Sequence, residues 1–362
     1  VLDGSGNMPA IAAAAMTGVA SATTSSSDPT VSTNPSTGLG TKWINTTSGE
    51  IFILTDATAG ENVWTSTGGT SGDIQAKFAG ETYGYSMGGT PNTNTIQKFS
   101  LASATANSTD VADLTVARGQ CRGTHSQTYG YCAAGHSSYD VTIDKHQFAT
   151  TNNASDVGDL IQRAPDHAEG TSTTHGYAMA GQNGVDDYGQ NVIQKYSFST
   201  DGNSTDVGDA TVARTQMGGC SDWTGNYGYI VGGGAFPSPG RLDVIDRVSF
   251  TSDGNAADVG DLTQVTAPLT ASSSPTHGYA AGGHNASAAT NVISRFAFAA
   301  TANASDVGDL TVAKYNGHSC SSETYGYYMG ASAPSLNVIE RYAFASSGNA
   351  VDVGDLLSAI SA

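Results

Sequence analysis

The chain has 362 residues and a formal net charge of −18, from 32 acidic and 14 basic residues. Its 45 glycines and its low content of charged residues (13%) and aromatic residues (8%) favour short strands joined by tight turns over helices with long apolar stripes. An acidic surface repels phosphate, which excludes nucleic acid and anionic membranes as expected partners.

The N-terminal part of the chain contains no repeat. Residues 8–20 are its longest apolar stretch; they fall short of the roughly 20 residues that span a bilayer and lack the basic flank of a secretory signal. We therefore expect no membrane insertion. Residues 1–40 are predicted to be extended or to form one short helix. Residues 41–71 are predicted to form a small β-meander that serves for attachment, with Trp43 and Trp64 as its large apolar side chains.

Three sequence elements then recur six times in the same order. The first is Gly-Tyr followed by small or apolar residues, the second is an apolar-Ile-x-basic strand such as VIERYAF, and the third is Asn-x-x-Asp-Val-x-Asp. The third element begins at Asn107, Asn153, Asn203, Asn255, Asn303 and Asn349. Such self-similarity indicates a repeat architecture.

Each repeat predicts four short strands, which we label A to D. Strand A follows the basic residue after the preceding strand D, as at 118–126, and strand B is the Tyr-Gly-Tyr run. Strand C is the alternating apolar-x-basic segment, and strand D contains Asp-Val-Gly-Asp. About 40 to 50 residues with four strands is the length of one propeller blade. The sequence therefore predicts an all-β fold in which residues 72–362 form a six-bladed β-propeller, and Gly72, Asp73 and Ile74 suggest that the ring closes there.

Two resemblances add a functional expectation. The hydrophobic strand that ends in Gly-Gly (YIVGG at 229–233) and the later VIERYAF at 338–344 resemble the kelch repeat over about residues 72–362, although Asp-Val-Gly-Asp stands where kelch repeats usually have Trp. The repeat is also similar to blades in marine bacteriophage structural proteins, and residues 41–66 with the preceding NPSTGLG resemble small modules of phage virion proteins.

These resemblances imply a virion structural protein, a tail fibre or spike, that attaches to a host surface. Residues 1–71 would then join other virion proteins or copies of the same chain in a homo-oligomer. The expected location is the virion, with the cell surface or secretion as the alternative. The second hypothesis is a decoration protein or filament subunit without a ligand, and the third is a carbohydrate-active enzyme.

The connections between strands B and C vary in length, whereas the C–D turns are nearly constant, and in an up-and-down blade these two sets lie on opposite faces. Exposed aromatic side chains among Asp and Asn suit a sugar, which needs a stacking surface and fixed hydrogen-bond partners. The candidate glycan-binding residues are Tyr139, Asp140, Asp186, Asp187, Tyr188, Phe236, Arg241 and Asn285. Trp223, in an A–B turn, is the candidate for sugar stacking on the other face.

The repeated acids allow a calcium site, with Asn107, Asp110, Asp113 and their repeats as oxygen ligands, but turn chemistry and ion pairing are the preferred explanation. Eleven basic residues recur at two repeat positions, which predicts ion pairs within or between blades. They are Lys98, Lys145, Lys195, Arg247, Arg295 and Arg341 on strand C, and Lys77, Arg118, Arg163, Arg214 and Lys314 after strand D.

Cysteine and histidine give a weaker signal. Cys121 and Cys132 precede His125 and His136 by the same spacing, which permits buried thiols, a hairpin disulfide or a metal site, in that order of preference. No nucleophile, zinc or phosphate-loop motif is present. We therefore expect no enzymatic activity and no cofactor.

Overall fold

The computed structural model describes residues 22–58, 62–67, 82–103, 105, 107–136, 141–183, 188–222, 226–235 and 240–362. The chain divides into two compact units, Val1–Lys77 and Phe78–Ala362. Within the described residues there are strands and turns but no helix, and none of them forms a helix that could cross a bilayer. The predictions for the apolar stretch at 8–20 and for Gly72–Ile74 lie outside the described residues.

The N-terminal unit contains one four-stranded sheet in the order β1-β2-β3-β4. Its strands are β1 (Thr23–Ser25), β2 (Lys42–Asn45), β3 (Ile51–Asp56) and β4 (Val63–Ser66). Strands β2 to β4 are antiparallel, and β1 pairs with β2 in parallel. Trp64 is fully buried with Phe52 and Leu54, and the Trp43 ring contacts it edge-on with centroids 5.9 Å apart.

The second unit consists of successive antiparallel sheets, each formed by one sequence repeat. Sheet 1 has β5 (Tyr83–Met87), β6 (Thr93–Ser100) and β7 (Thr109–Arg118). Sheet 2 has β8 (Arg122–His125), β9 (Tyr129–Ala133), β10 (Thr142–Gln147) and β11 (Ser155–Asp159). Sheet 3 has β12 (Ala168–Thr171), β13 (His175–Gln182), β14 (Gly189–Ser197) and β15 (Thr205–Arg214).

The later repeats form sheets of the same kind. Sheet 4 has β16 (Gly218–Ser221), β17 (Tyr227–Val231), β20 (Val244–Ser249) and β21 (Ala257–Asp261), with a small ribbon of β18 (Gly234–Ala235) and β19 (Gly240–Arg241) in its B–C connection. Sheet 5 has β22 (Thr270–Ser273), β23 (His277–Ala281), β24 (Val292–Ala297) and β25 (Ser305–Asp309). Sheet 6 has β26 (His318–Ser321), β27 (Tyr325–Ser332), β28 (Ser335–Ala343) and β29 (Val351–Asp355).

Strands follow one another in chain order within each sheet, as in an up-and-down blade. The first strands contact one another from sheet to sheet, β8 with β12, β12 with β16, β16 with β22 and β22 with β26. Strand β26 in turn contacts β5 of sheet 1. The apolar clusters lie between neighbouring sheets, for example where Tyr177 of sheet 3 packs on Phe250 of sheet 4. This all-β arrangement is consistent with a propeller-like fold.

The Asn of Asn-x-x-Asp-Val-x-Asp connects each sheet to the one before it. Its Oδ1 accepts the backbone N–H of the second Asp of the preceding sheet, and the distance is 3.1 Å in all six cases, including Asn107 to Asp355 between sheets 1 and 6. The first Asp, for example Asp156, accepts the N–H of the glycine two residues later. Turn chemistry therefore occupies oxygens that were candidate calcium ligands, and the described residues contain no cluster of three His, Cys, Asp or Glu side chains that could hold a metal.

The glycine of Asp-Val-Gly-Asp is required by close approach between sheets. Gly158 has a φ of +156°, and a Cβ there would lie 2.3 Å from the carbonyl oxygen of Gly202 in the next sheet. Gly208 meets Gly254 in the same way. A side chain at these positions would force neighbouring sheets apart.

Several of the basic residues that the sequence singled out form ion pairs between neighbouring sheets, as predicted, whereas Lys77 lies outside the described residues. Residues after strand D pair with an acid on strand C of the next sheet, not with Asp-Val-Gly-Asp carboxylates. Three such pairs have fully buried side chains: Arg118–Asp144 at 3.0 Å, Arg214–Asp246 at 2.9 Å and Lys314–Glu340 at 2.7 Å. Arg163 does not occupy this position; Ala164 does, and Arg163 donates to the Asn183 carbonyl instead.

The charged pairs alternate with neutral ones around the unit. Between sheets 2 and 3, Gln194 exchanges hydrogen bonds with the backbone of Gln162. Between sheets 4 and 5, Ser294 and Thr263 share a hydrogen bond of 2.8 Å. Between sheets 6 and 1, Gln97 accepts the N–H of Leu357 at 2.9 Å. Charged and neutral junctions therefore occupy equivalent positions.

The basic residues of strand C interact chiefly with tyrosine rings of strand B. Lys98, Arg247 and Arg341 lie 4.3 to 4.8 Å from the ring centroids of their tyrosines. Lys145 lies over a tyrosine ring and also pairs with Asp201 of the next sheet at 2.8 Å. These cations therefore orient strands and join sheets.

Candidate functional site

The B–C connections share one face with the connections that lead from strand D into the next strand A. Backbone hydrogen bonds join the two sets: the N–H of His136 donates to the Gly119 carbonyl at 2.7 Å, and the N–H of Gln182 donates to the Pro165 carbonyl at 2.8 Å. We call this surface the loop face. It combines the variable connections that the sequence singled out with the D–A connections that it did not.

Most of the predicted glycan-binding residues lie outside the described residues. These are Tyr139, Asp140, Asp186, Asp187 and Phe236, together with Trp223 of the A–B turn. Their proposed roles therefore stay predictions. The structure places the other three candidates, Tyr188, Arg241 and Asn285.

Tyr188 presents its side chain at the surface of the loop face. It is 44% exposed, although burying a tyrosine ring is energetically favourable. Its backbone carbonyl accepts the N–H of Asn183, the residue after β13, at 2.7 Å. This hydrogen bond connects the backbone of Tyr188 to the end of β13.

Arg241 and Asn285 have structural contacts within the loop face. Arg241 Nε donates to the carbonyl of Ala267 at 3.0 Å, and the N–H of Ala267 donates to the His284 carbonyl at 3.1 Å. Asn285 Oδ1 accepts two N–H groups of its own turn, and its Nδ2 donates to Gln264 at 3.3 Å. The structure therefore connects Arg241 through Ala267 to His284, the residue before Asn285, and both predicted residues hold the loops in shape.

A cluster of charged and titratable side chains lies on the first strands of sheets 2, 3 and 6 and on the connection before β12, where the sequence analysis predicted nothing. Arg122 begins β8, and its guanidinium lies 3.5 Å from the Asp166 carboxylate, with both side chains buried. His167 is fully buried, Glu169 lies on β12, and His318 begins β26. We call these five residues the inner cluster.

Burial governs the protonation of the inner cluster. It raises the pKa of Glu169 to about 7, although the positive charge of Arg122 opposes this rise. Burial also lowers the pKa of His167 to about 3 and that of His318 to about 4, and Arg122 lowers both further. At neutral pH both imidazoles are therefore uncharged, and Glu169 is close to its titration midpoint.

Several buried polar atoms in this region have no hydrogen-bond partner in the protein. They are Nε2 of His167, Oε2 of Glu169, Nε2 of His318 and Oε1 of the adjacent Gln120. His167 Nδ1 lies 2.7 Å from the Ala164 carbonyl and so carries the proton, which leaves Nε2 as an acceptor. Buried polar atoms seek partners, so the cluster is suited to hold water or a small polar molecule.

The repeat alignment contained a signal for the inner cluster. Arg122 and His318 occupy the first position of strand A, where the other described sheets have Ala168, Gly218 and Thr270. A charged or titratable residue at a position that is otherwise small or neutral departs from the repeat. Recurring acids and variable loops do not include these two positions, so the sequence analysis did not predict them.

The four cysteines are free. Cys121 and Cys132 are buried neighbours without a disulfide, which confirms the preferred interpretation as buried thiols. Interaction with the Cys121 thiol raises the pKa of Cys132. His136 is exposed, and the four Cys and His residues do not form a metal cluster among the described residues.

Comparisons with known proteins support the fold alone. No family model matches the chain, and no curated protein matches it. Among solved structures, the chain is similar to "Structure of YjhT" with a TM-score of 0.59 and 13% sequence identity, over 70% of this chain and 89% of that chain. This similarity supports a β-propeller-like fold.

Proposed function

We propose that this chain is a virion structural protein, a tail fibre or spike component, whose six-bladed β-propeller presents the loop face to a glycan on a host surface. The virion assignment rests on the resemblance of the repeat and of residues 41–66 to phage structural proteins. The binding assignment rests on the loop face itself.

The blade count has two supports. The sequence contains six copies of strands B, C and D, and in five of them strand A is also described. Sheet 6 binds sheet 1 through the same Asn–Asp hydrogen bond that joins the other sheets, and strand pairing between Thr90 and Ser361 adds a second connection. A closed ring of six blades accounts for both.

The observation that carries the binding role is an exposed aromatic side chain on the loop face. Tyr188 is 44% exposed, and its backbone carbonyl accepts the N–H of Asn183 at 2.7 Å. A residue whose backbone is already held loses little conformational entropy on binding. Many copies on one particle would convert weak glycan contacts into avidity.

A purely structural role is the second candidate, and the loop contacts favour it at two positions. The side chains of Arg241 and Asn285 form hydrogen bonds to neighbouring loops. A decoration or filament subunit without a ligand would also need such contacts to keep its loops in shape. The two candidates differ in whether the loop face binds anything.

A glycan array distinguishes them. We expect the whole chain to bind a subset of glycans saturably, and Tyr188→Ala to weaken that binding roughly tenfold or more, as for an aromatic anchor. Tyr227→Ala is the matched control, because Tyr227 is 37% exposed but begins strand B at the opposite face. Absence of saturable binding, or equal loss in both variants, would favour the purely structural role.

A further inference from the structure

Three groups of the inner cluster can carry positive charge: the guanidinium of Arg122 and the imidazoles of His167 and His318. Arg122 begins β8 of sheet 2, His167 directly precedes β12 of sheet 3, and His318 begins β26 of sheet 6. The positive charge of Arg122 acts on both imidazoles. The cluster therefore brings groups from three sheets within electrostatic reach of one another.

A proton added to either imidazole would find no acceptor among the described residues. His167 Nδ1 already donates to the Ala164 carbonyl at 2.7 Å, and its Nε2 is buried without a hydrogen-bond partner. His318 Nε2 is also buried without a partner. A charged imidazole has two N–H groups. Protonation would therefore bury an unpaired N–H and add a second positive charge near Arg122, and both changes cost free energy.

The acids of the cluster compensate this cost only in part. The Asp166 carboxylate lies 3.5 Å from the guanidinium of Arg122 and is already paired with it. Burial raises the pKa of Glu169 to about 7. Glu169 therefore loses its negative charge in the same acid range in which the imidazoles would need a counter-charge.

The other titratable groups that face the cluster from neighbouring strands are Cys220 on β16 and Tyr328 on β27, with His136 after β9. Burial raises the pKa of Cys220 and that of Tyr328, so both are neutral in acid. His136 is exposed, and a histidine supplies no negative charge. None of these three groups stabilises a protonated imidazole.

We propose that the inner cluster is an acid-sensitive device, which keeps sheets 2, 3 and 6 in contact while its two imidazoles are neutral and loosens that contact when they are protonated. In the loosened state water reaches the charged rings and accepts their N–H groups, so the cost of burying them disappears. The balance between the two states therefore depends on pH. The device does not rest on glycan binding by the loop face.

The sign of the effect follows from the pKa values. Burial lowers the pKa of His167 to about 3 and that of His318 to about 4, from the usual 6.5. Between these values and 6.5 the unfolded chain binds more protons than the folded one, so stability falls as the pH decreases. Glu169 acts in the opposite direction. Because its pKa is raised from 4.5 to about 7, its contribution to stability grows as the pH falls through that window.

The test is urea unfolding of the whole chain at about pH 7.5 and about pH 5. Between the two, the unfolding constant of the unmodified chain should increase about thirtyfold more than that of His167→Gln, since glutamine does not titrate. His318→Gln should show a difference of similar size. Hydrogen exchange, corrected for its intrinsic pH dependence, should increase in β8, β12 and β26 more than in β24 of sheet 5, which holds no residue of the cluster.

His277→Gln is the matched control. His277 is half-buried on β23, and its Nδ1 lies 2.8 Å from the Thr276 hydroxyl, so its replacement should change the pH dependence far less. Glu169→Gln supplies a test of opposite sign that does not require a histidine variant to fold. Its unfolding constant should increase more steeply in acid than that of the unmodified chain.

Three results would overturn the device. The first is a pH profile of the unmodified chain that runs parallel to those of the folded histidine variants. The second is a Glu169→Gln profile parallel to that of the unmodified chain. The third is an equal change in His277→Gln, which would show that burial in the inner cluster does not distinguish its histidines.

Discussion

Neighbouring sheets are joined by buried ion pairs at some junctions and by neutral hydrogen bonds at others. Arg214 and Asp246 form an ion pair of 2.9 Å between sheets 3 and 4, with both side chains fully buried. At the next junction the residue equivalent to Asp246 is the neutral Ser294, which shares a hydrogen bond with Thr263. Because both junctions accept the same backbone arrangement, the ion pair is not needed to bring two sheets together.

The comparison of the two junctions shows what a buried ion pair contributes to the contact between sheets. Taking two charges out of water costs several kcal/mol for each ion, and their attraction in the interior offsets this cost only when the geometry is good. Asp246 also accepts the N–H and the hydroxyl of Thr211. The ion pair therefore specifies which surfaces meet, and its loss is costly mainly when one partner remains.

The largest expected effect comes from breaking one charged junction. Asp246→Ala leaves Arg214 buried without its acid, and we expect a loss of about 3–5 kcal/mol in the free energy of unfolding. Ser294→Ala at the neutral junction should cost only about 1 kcal/mol. Urea unfolding followed by circular dichroism measures both. Equal losses would show that charge does not distinguish the junctions.

Converting a charged junction into an apolar one should have a smaller effect. The double variant Arg214→Met with Asp246→Leu removes both charges, so no ion is left unpaired. We expect its stability to lie within about 2 kcal/mol of the unmodified chain, with the remaining loss due to the Thr211 N–H that no longer has an acceptor. A double variant as unstable as Asp246→Ala would contradict this account.

The smallest effect distinguishes one charged junction from the others. Burial lowers the pKa of Lys314 from its usual 10.5, although Glu340 opposes this. Between the lowered pKa and 10.5 the unfolded chain binds more protons than the folded one, so stability rises with pH in that window.

Lys314→Arg provides the comparison, because arginine stays protonated over the whole range. The stability of the unmodified chain should rise relative to that of Lys314→Arg as the pH approaches 10.5. Denaturant melts at a series of alkaline pH values give the difference. Parallel profiles would mean that Lys314 titrates alike in the folded and unfolded states.

Strand order was predictable from the sequence because it depends on local pattern. The alternation of VIERYAF and the Gly-Tyr runs place β28 and β27 on the basis of neighbouring residues alone. The ion-pair partners were not predictable in this way. Arg214 and Asp246 belong to different sheets, and nearer acids such as Asp206 and Asp209 were equally plausible partners by charge.

The candidate site divides along the same line. Variable B–C loops indicated the loop face, and Tyr188 lies there, exposed. The sequence did not predict the inner cluster because Arg122 and His318 are 196 positions apart, and only the tertiary structure brings the charge of Arg122 close to His318.

By itself the sequence determined that this chain builds repeated four-stranded β-units, since strand formation follows from residue periodicity and turn chemistry. The tertiary structure decided which side chains are buried together and which junctions are charged. Those features depend on contacts between residues far apart in the chain, and the energy of a buried charge is defined only by its neighbours in space.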